Sequence, residues 1–165
     1  MIRVLVAYAS ERGGTAEIAE WVGAALREAG VEADVRPAGD VETLDGYDAA
    51  VVGGALYVGR WHREARHFVR HHADELAHRP VWLFSSGPLD RSAEERTVDP
   101  VSGVAKFARR LNARGHATFG GRLAPDAKGF MAAKVARTAS GDFRDRDRVA
   151  EWAAGIAREL RSVSV

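Results

Sequence analysis

The sequence predicts an α/β protein built on a doubly wound parallel sheet with helices on both faces. Three observations predict it. Apolar strands alternate with amphipathic helices, the strands carry nearly unbroken apolar runs, and glycine- or serine-rich turns follow three of the strands. Crossover connections between such strands are right-handed, which places helices on both sides of the sheet. With 165 residues, 46% of them hydrophobic, the chain is predicted to form a single domain over residues 1–165.

The first half of the chain predicts three strands and one helix. Residues 2–8 are apolar and rich in β-branched side chains, as a strand covered on both faces should be. Apolar residues recur at helical spacing over 15–29, and Gly30 ends this helix. Polar and apolar residues alternate over 32–37, which predicts a short edge strand. The apolar run 48–52 predicts a buried third strand.

The second half continues the alternation. Apolar spacing predicts a helix over 61–77, and the apolar run 81–84 predicts the fourth strand. A polar loop leads to a third helix over 104–111, and the fifth strand is predicted over 116–123. The last helix is predicted over 149–160, where Trp, Ile and Leu lie on one side.

Polar turns follow strands one, three and four, at the edge of the sheet where ligands bind in this architecture. They cover residues 10–15, 53–59 and 85–89. In the first turn, Ser10 and Thr15 flank glycines at the start of a helix. Unpaired backbone N–H groups, the positive end of the helix dipole and the two hydroxyls would together bind an anion such as a phosphate.

Composition and missing motifs exclude several functional classes. A net charge of +1 does not favour a nucleic-acid partner, and the absence of cysteine excludes disulfides and thiolate metal sites. The first turn lacks the glycine fingerprints of dinucleotide-binding and NTPase folds, and Gly53 stands where a receiver domain carries its phosphorylated aspartate. No apolar run reaches the ~18 residues that span a bilayer, and no secretory signal is evident, so a cytoplasmic location is expected.

Five histidines invite a metal hypothesis, namely His62, His67, His71, His72 and His78. Arginines surround them, and no carboxylate completes a zinc motif of the H-E-x-x-H type. A solvated basic helix face is therefore predicted instead of a metal site, and an anionic partner could use that face.

The first turn resembles the phosphate loop of the flavodoxin family of FMN proteins, whose pattern is S/T-x-S/T-G-x-S/T. Ser10, Gly13 and Thr15 match this pattern, whereas Arg12 replaces a hydroxyl and could supply a charge-assisted contact instead. Residues 53–62 and 80–89 are similar to the flavin-flanking loops of the subgroup that contains the bacterial menaquinone-dependent protoporphyrinogen oxidase. The resemblance implies a flavodoxin-like three-layer sandwich with five parallel strands in the order 2-1-3-4-5.

The resemblance also implies noncovalent FMN binding across the three turns. The residues expected to hold the phosphate are Ser10, Arg12, Gly13, Gly14 and Thr15. Those expected on one side of the isoalloxazine are Ala55, Leu56, Tyr57 and Val58, and those on the other are Ser86, Gly87, Pro88 and Leu89. Tyr57 and Trp61 are candidates for a stacking ring, although either could instead pack on the neighbouring helix. No catalytic side chain and no metal ligand are predicted, because the flavin carries the electron chemistry.

The implied function is flavin-dependent electron transfer or oxidoreduction, and its most specific form is a protoporphyrinogen-oxidase-like reaction with a quinone acceptor. The expected partner is a redox protein, a quinone or another small molecule, and a homodimer is left open. The alternative is a flavodoxin-fold binding module that no longer retains FMN and has no redox turnover. Because the chain is not acidic and Arg12, Arg60 and Arg63 lie near the predicted rim, a less negative flavin potential than that of acidic flavodoxins is expected.

Overall fold

The computed structural model describes residues 2–9, 14–57, 60–87, 102–120 and 146–163, with Tyr57, Ser102 and Val163 described by their backbone alone. The strands are β1 (Arg3–Ala9), β2 (Glu32–Pro37), β3 (Ala49–Tyr57), β4 (Arg60–Trp61), β5 (Val81–Ser86) and β6 (Gly115–Phe119). The α-helices are α1 (Gly14–Glu28), α2 (Arg63–His71), α3 (Ala73–Ala77), α4 (Ser102–Leu111) and α5 (Arg146–Val163).

The sheet has the strand order β2-β1-β3-β5-β6, and all of these neighbours are parallel. The short β4 stands apart, because it pairs antiparallel with the end of β3. With β4 set aside, the order is the predicted 2-1-3-4-5. The prediction of a doubly wound parallel sheet is thus confirmed.

Two apolar layers hold the helices on the sheet. Successive residues of β1 point to opposite faces, so Val6 packs with Leu26 of α1 and Ile156 of α5 in one layer. Leu5 packs with Phe68 of α2 in the other. Each of these five side chains is at most 2% exposed. Burial on both faces explains why the central strands read as unbroken apolar runs.

The prediction that the third strand ends before Gly53 is wrong, because β3 continues to Tyr57. Gly53 and Gly54 lie inside the strand, where aromatic rings cross them. A Cβ on Gly53 would overlap the ring of Phe84, and one on Gly54 would lie 2.8 Å from Cγ of Trp61. The two glycines therefore admit rings against the sheet, and they do not form a turn.

The helix predicted over 61–77 is also interrupted. Trp61 belongs to β4, and His62 caps α2 by accepting a hydrogen bond from the Glu64 backbone N–H through Nδ1. At His72 the backbone leaves helical geometry (φ −108°, ψ 18°), and α3 begins with the next residue. The His72 ring is 3% exposed and packs on Phe68. Burying this polar ring at the end of α2 accompanies the break.

The remaining boundaries differ by a few residues. β5 runs on to Ser86, so Ser85 and Ser86 belong to a strand and not to the predicted turn. α5 begins at Arg146, three residues before its predicted start. The predicted end of the fifth strand, over 121–123, lies outside the described residues.

Candidate functional site

The predicted site lies at the carboxyl edge of three adjacent strands, β1, β3 and β5. The strand order brings together the segments that follow these strands, although the chain separates them. Part of the predicted set is outside the described residues, namely Ser10, Arg12, Gly13, Val58, Pro88, Leu89 and the side chain of Tyr57. The described members are Gly14 and Thr15 at α1, Ala55 and Leu56 at β3, Trp61 at β4, and Ser86 and Gly87 at β5.

Thr15 lies in the first turn of α1 and is 1% exposed. Its Oγ1 is buried, and it has no hydrogen-bond partner within the part of the chain that the structure describes. Leaving a buried hydroxyl unpaired costs about 1–3 kcal/mol, so natural structures usually provide a partner or a ligand for it. A bound oxyanion would accept this hydrogen bond at the positive end of the helix.

Leu56, near the end of β3, and Gly87, just after β5, lie next to each other. A Cβ on Gly87 would lie 3.6 Å from Leu56 Cβ, so the two backbones run side by side. Gly87 has φ +129°, a backbone conformation that residues other than glycine rarely adopt. Its N–H donates to the Phe119 carbonyl at 2.9 Å. The structure therefore brings together one residue from each predicted flavin-flanking segment.

Ala55 and Ser86 are neighbours in the ladder between β3 and β5. Both are largely buried, with 8% and 5% exposure. Because little of either side chain reaches the surface, these positions would contribute mainly backbone to a ligand.

A short hairpin extends β3 beyond its pairing with β5. Leu56 pairs with Trp61 and Tyr57 with Arg60, so β4 runs back along the last two residues of β3. The His62 N–H then donates to the Ala55 carbonyl at 2.8 Å. The hairpin thus lies at the carboxyl edge of the sheet, where its Leu56 is beside Gly87 in the candidate site.

Trp61, the second residue of β4 in this hairpin, is 2% exposed. Its ring centroid lies 5.9 Å from that of Phe107 in α4, and its Nε1–H donates to Ser85 Oγ at 2.9 Å. This placement does not fit the expected stacking of Trp61 on a flavin. It fits the packing role that the sequence left open.

Two polar residues that sequence reasoning did not select, Ser85 and His116, meet beneath the hairpin. Ser85 Oγ lies 3.1 Å from His116 Nε2, and Ser85 is 1% exposed. Burial lowers the pKa of His116 to about 4, so its imidazole is neutral at physiological pH. Polar residues within two predicted strands were the available signal, but the sequence does not show that they touch.

The histidine-rich face of α2 shows ring contacts between neighbours. His67 and His71 stack with centroids 5.8 Å apart, and His71 meets His72 edge to face at 4.7 Å. Among the described residues, no three His, Cys, Asp or Glu side chains form a group suited to a metal ion. Within the same residues, no helix combines the length and apolar character needed to cross a membrane.

Comparison with known proteins gives a family match and a related enzyme. A model of the flavodoxin domain matches residues 5–139. Protoporphyrinogen IX dehydrogenase (quinone) of Escherichia coli K12 is 31% identical over 108 residues, which cover 64% of this chain and 60% of that protein. The chain thus spans about 60% of the length of the curated relatives it matches.

Solved structures share the fold at low sequence identity. A flavodoxin from the domain Archaea superposes with a TM-score of 0.63 at 14% identity, over 97% of this chain and 99% of that one. The rubredoxin oxygen:oxidoreductase of Desulfovibrio gigas superposes with a TM-score of 0.67 at 11% identity, over 97% of this chain and 36% of that one. At these identities the likeness concerns the fold alone.

Proposed function

The chain belongs to the flavodoxin domain family, whose cofactor is FMN, and from this premise we propose that it is an FMN-dependent oxidoreductase with a quinone acceptor. The proposed substrate is a reduced tetrapyrrole of the protoporphyrinogen type. The quinone-linked activity in the name of the Escherichia coli relative supports this choice. Each turnover would take two electrons and two protons from the substrate and reduce one quinone to its hydroquinone. The cysteine-free composition fits a cytoplasmic protein.

The observation that carries the cofactor site is the buried Oγ1 of Thr15, which has no hydrogen-bond partner among the described residues. We propose that Thr15 donates to the FMN phosphate, beside Gly14 and the predicted loop residues Ser10, Arg12 and Gly13. Phosphate oxygens accept such hydrogen bonds strongly, because they are charged. Thr15 thus gains in the complex the partner that it lacks among the described residues.

The ring system would lie at the carboxyl ends of β3 and β5, flanked by residues from both segments. Ala55, Leu56, Tyr57 and Val58 form one proposed side, and Ser86, Gly87, Pro88 and Leu89 form the other. Tyr57 remains the proposed stacking residue, since Trp61 is buried in the core. When bound, FMN supplies the redox chemistry, and the protein's own groups bind it, orient it and limit its contact with water.

Thr15→Val tests the phosphate site, because valine keeps the shape of threonine and removes only the hydroxyl. We expect the affinity for FMN, followed by flavin fluorescence quenching, to fall about tenfold, since one charge-assisted hydrogen bond is lost. The melting temperature of the variant without FMN should rise, because the buried unpaired hydroxyl is gone. These opposite shifts separate a ligand-binding hydroxyl from one that only supports the fold.

The wild-type protein decides between the two function classes. Purified protein should release FMN on denaturation, or its melting temperature should rise when FMN is added. After anaerobic reduction, a soluble menaquinone analogue should restore the oxidised flavin absorbance faster than a sample without acceptor. A melting temperature that does not respond to millimolar FMN would instead support the binding module without a flavin.

A further inference from the structure

The buried side chains of Trp61 in β4 and Ser85 in β5 and the partly buried side chain of His116 in β6 form a continuous hydrogen-bonded chain behind the candidate site. Trp61 Nε1 lies 2.9 Å from Ser85 Oγ, and the same oxygen lies 3.1 Å from His116 Nε2. The three residues are far apart in sequence, with separations of 24 and 31 positions along the two links. This chain links the hairpin to β5 and β6, the last two strands in the order of the sheet.

The chemistry of the groups gives the chain a direction. An indole N–H can only donate, so Ser85 Oγ accepts from Trp61. The Ser85 hydroxyl can then donate its own proton to His116 Nε2, which must carry no proton. Burial holds the pKa of His116 at about 4, which favours the neutral ring. The direction that we infer has the His116 proton on Nδ1, so that Nε2 accepts from the Ser85 hydroxyl and ends the chain.

The hairpin has only a short ladder of its own. β4 pairs with β3 at only two positions, Leu56 with Trp61 and Tyr57 with Arg60. Isolated ladders of this length are weak, so side-chain contacts must set where the hairpin sits. The Trp61 ring lies against Gly54 on one side and Phe107 on the other, and its single polar atom bonds to Ser85.

A shift of Trp61 would move the surface that the proposed function assigns to the flavin ring. Leu56 pairs directly with Trp61, and its Cβ is 3.6 Å from the place of a Cβ on Gly87. Losing Ser85 or the His116 acceptor would leave a buried donor unpaired and favour a different indole position. The spacing between Leu56 and Gly87 would change with it.

We propose that Ser85 and His116 are positioning residues that act through Trp61 to set how the two backbone segments that flank the flavin ring lie against each other. This role rests on the proposed function, because it concerns the ring site of the same cofactor. It is distinct from the phosphate site at Thr15. Neither residue needs to touch the flavin.

The test compares three ligands, since the proposal concerns only the ring end of FMN. We would measure the affinities of FMN, of riboflavin, and of inorganic phosphate by competition, in Ser85→Ala and His116→Phe. Both variants should lose about tenfold in affinity for FMN and for riboflavin and keep their affinity for phosphate. In the protein without ligand, the Trp61 indole ¹H–¹⁵N resonance should shift in both variants.

Two further variants serve as controls. His116→Gln retains an acceptor for the Ser85 hydroxyl, so it should bind riboflavin within about twofold of the wild type. Thr118→Val removes a buried hydroxyl from the register neighbour of Ser85 and lies outside the chain, so it should leave both flavin affinities unchanged. Measurements are made where circular dichroism shows each variant to be folded.

Flavin affinities equal to wild type in folded Ser85→Ala would overturn the positioning role and leave the proposed function intact. An equal loss in Thr118→Val would overturn it too, because any buried hydroxyl would then have the same effect. A wild-type protein that binds neither FMN nor riboflavin would overturn the proposed function, and the positioning role would fall with it.

Discussion

Phe84 occupies the space that a side chain at position 53 would need. Its ring lies against Gly53 in the neighbouring strand, and the same ring approaches Phe119 and Trp152 at 6.1 Å. Phe84 is fully buried. A glycine that a sequence pattern presents as a turn residue can therefore be a packing requirement.

Gly53→Ala should be strongly destabilising, because the added methyl group overlaps the Phe84 ring inside a packed layer. We expect the free energy of unfolding to fall by about 3 kcal/mol, at the upper end of the range for overpacking. Urea denaturation would measure it. Gly103→Ala is the matched control, since among the described residues no atom lies within 4 Å of its added Cβ in α4. It should stabilise the protein by roughly 0.5–1 kcal/mol, and equal losses in both variants would contradict the packing argument.

His116 should make the stability depend on pH in a defined window. Its pKa is about 4 in the folded protein, against 6.5 for the unperturbed group, because burial disfavours the charged ring. Between these values the unfolded chain binds more protons, so stability should fall as pH decreases from about 6.5 to about 4. Above about 6.5 both states are neutral at this position, and the effect is absent.

The expectation can be checked with the urea midpoints of the wild type and His116→Gln. Each protein would be measured at about pH 7.5, above this window, and at about pH 5, within it. The loss on acidification should be smaller in the variant, which has no group to protonate at position 116. An identical loss in both proteins would assign the pH dependence to other residues.

At the scale of elements, α5 packs against the sheet through an aromatic cluster. Trp152 of α5 meets Phe119 edge to face at 5.6 Å and Phe84 at 6.1 Å. Arg161 near the end of the same helix donates to the Ala29 carbonyl, just after α1, at 2.7 Å. These contacts fix α5 beside α1 on one face, whereas α2, α3 and α4 pack on the opposite face.

Trp152→Ala should lower the free energy of unfolding by about 3 kcal/mol, since it removes a large ring from contact with two buried rings. The neighbouring Glu151 is exposed, and Glu151→Ala should change the free energy of unfolding by less than about 0.5 kcal/mol. Chemical denaturation of both variants provides the comparison. A small effect at position 152 would mean that the helix is held chiefly by its aliphatic side chains.

Element boundaries show where local patterns suffice. β2 has its predicted range of 32–37, because alternation and flanking glycine act within a few residues. The break at His72 and the reversal at β4 were not predicted. Both depend on how a ring packs against a neighbouring element, and helical spacing across 61–77 carries no information about that.

At the scale of the whole molecule, charge sets the expected flavin potential. The chain has 24 basic and 23 acidic residues, and Arg60 and Arg63 are exposed at the hairpin beside the candidate site. Positive charge near a flavin favours the anionic reduced form. This distribution suits a protein that accepts electrons from a substrate.

The hydroquinone potential of the FMN complex should accordingly be less negative than that of acidic flavodoxins. Arg60→Glu should lower it by roughly tens of millivolts, as expected for a charge change near a solvated site, and added salt should reduce the difference. Arg158→Glu changes an exposed charge on α5, across the sheet, and should have little effect. Spectroelectrochemical titration measures all three proteins, and an equal shift in the two variants would remove the argument from local charge.

The amino-acid sequence by itself determined the fold class and the alternation of strands and helices, and it predicts the edge of the sheet where a ligand is proposed to bind. Periodicity and turn chemistry depend on residues close together in the sequence, so they can be recognised along the chain. The strand order and the ligand edge follow from the family resemblance. Only the tertiary structure decided that Trp61 is a core residue, that Gly53 and Gly54 accommodate rings, and that Ser85 links Trp61 to His116. These outcomes depend on contacts between residues far apart in sequence, and close packing determines them in three dimensions.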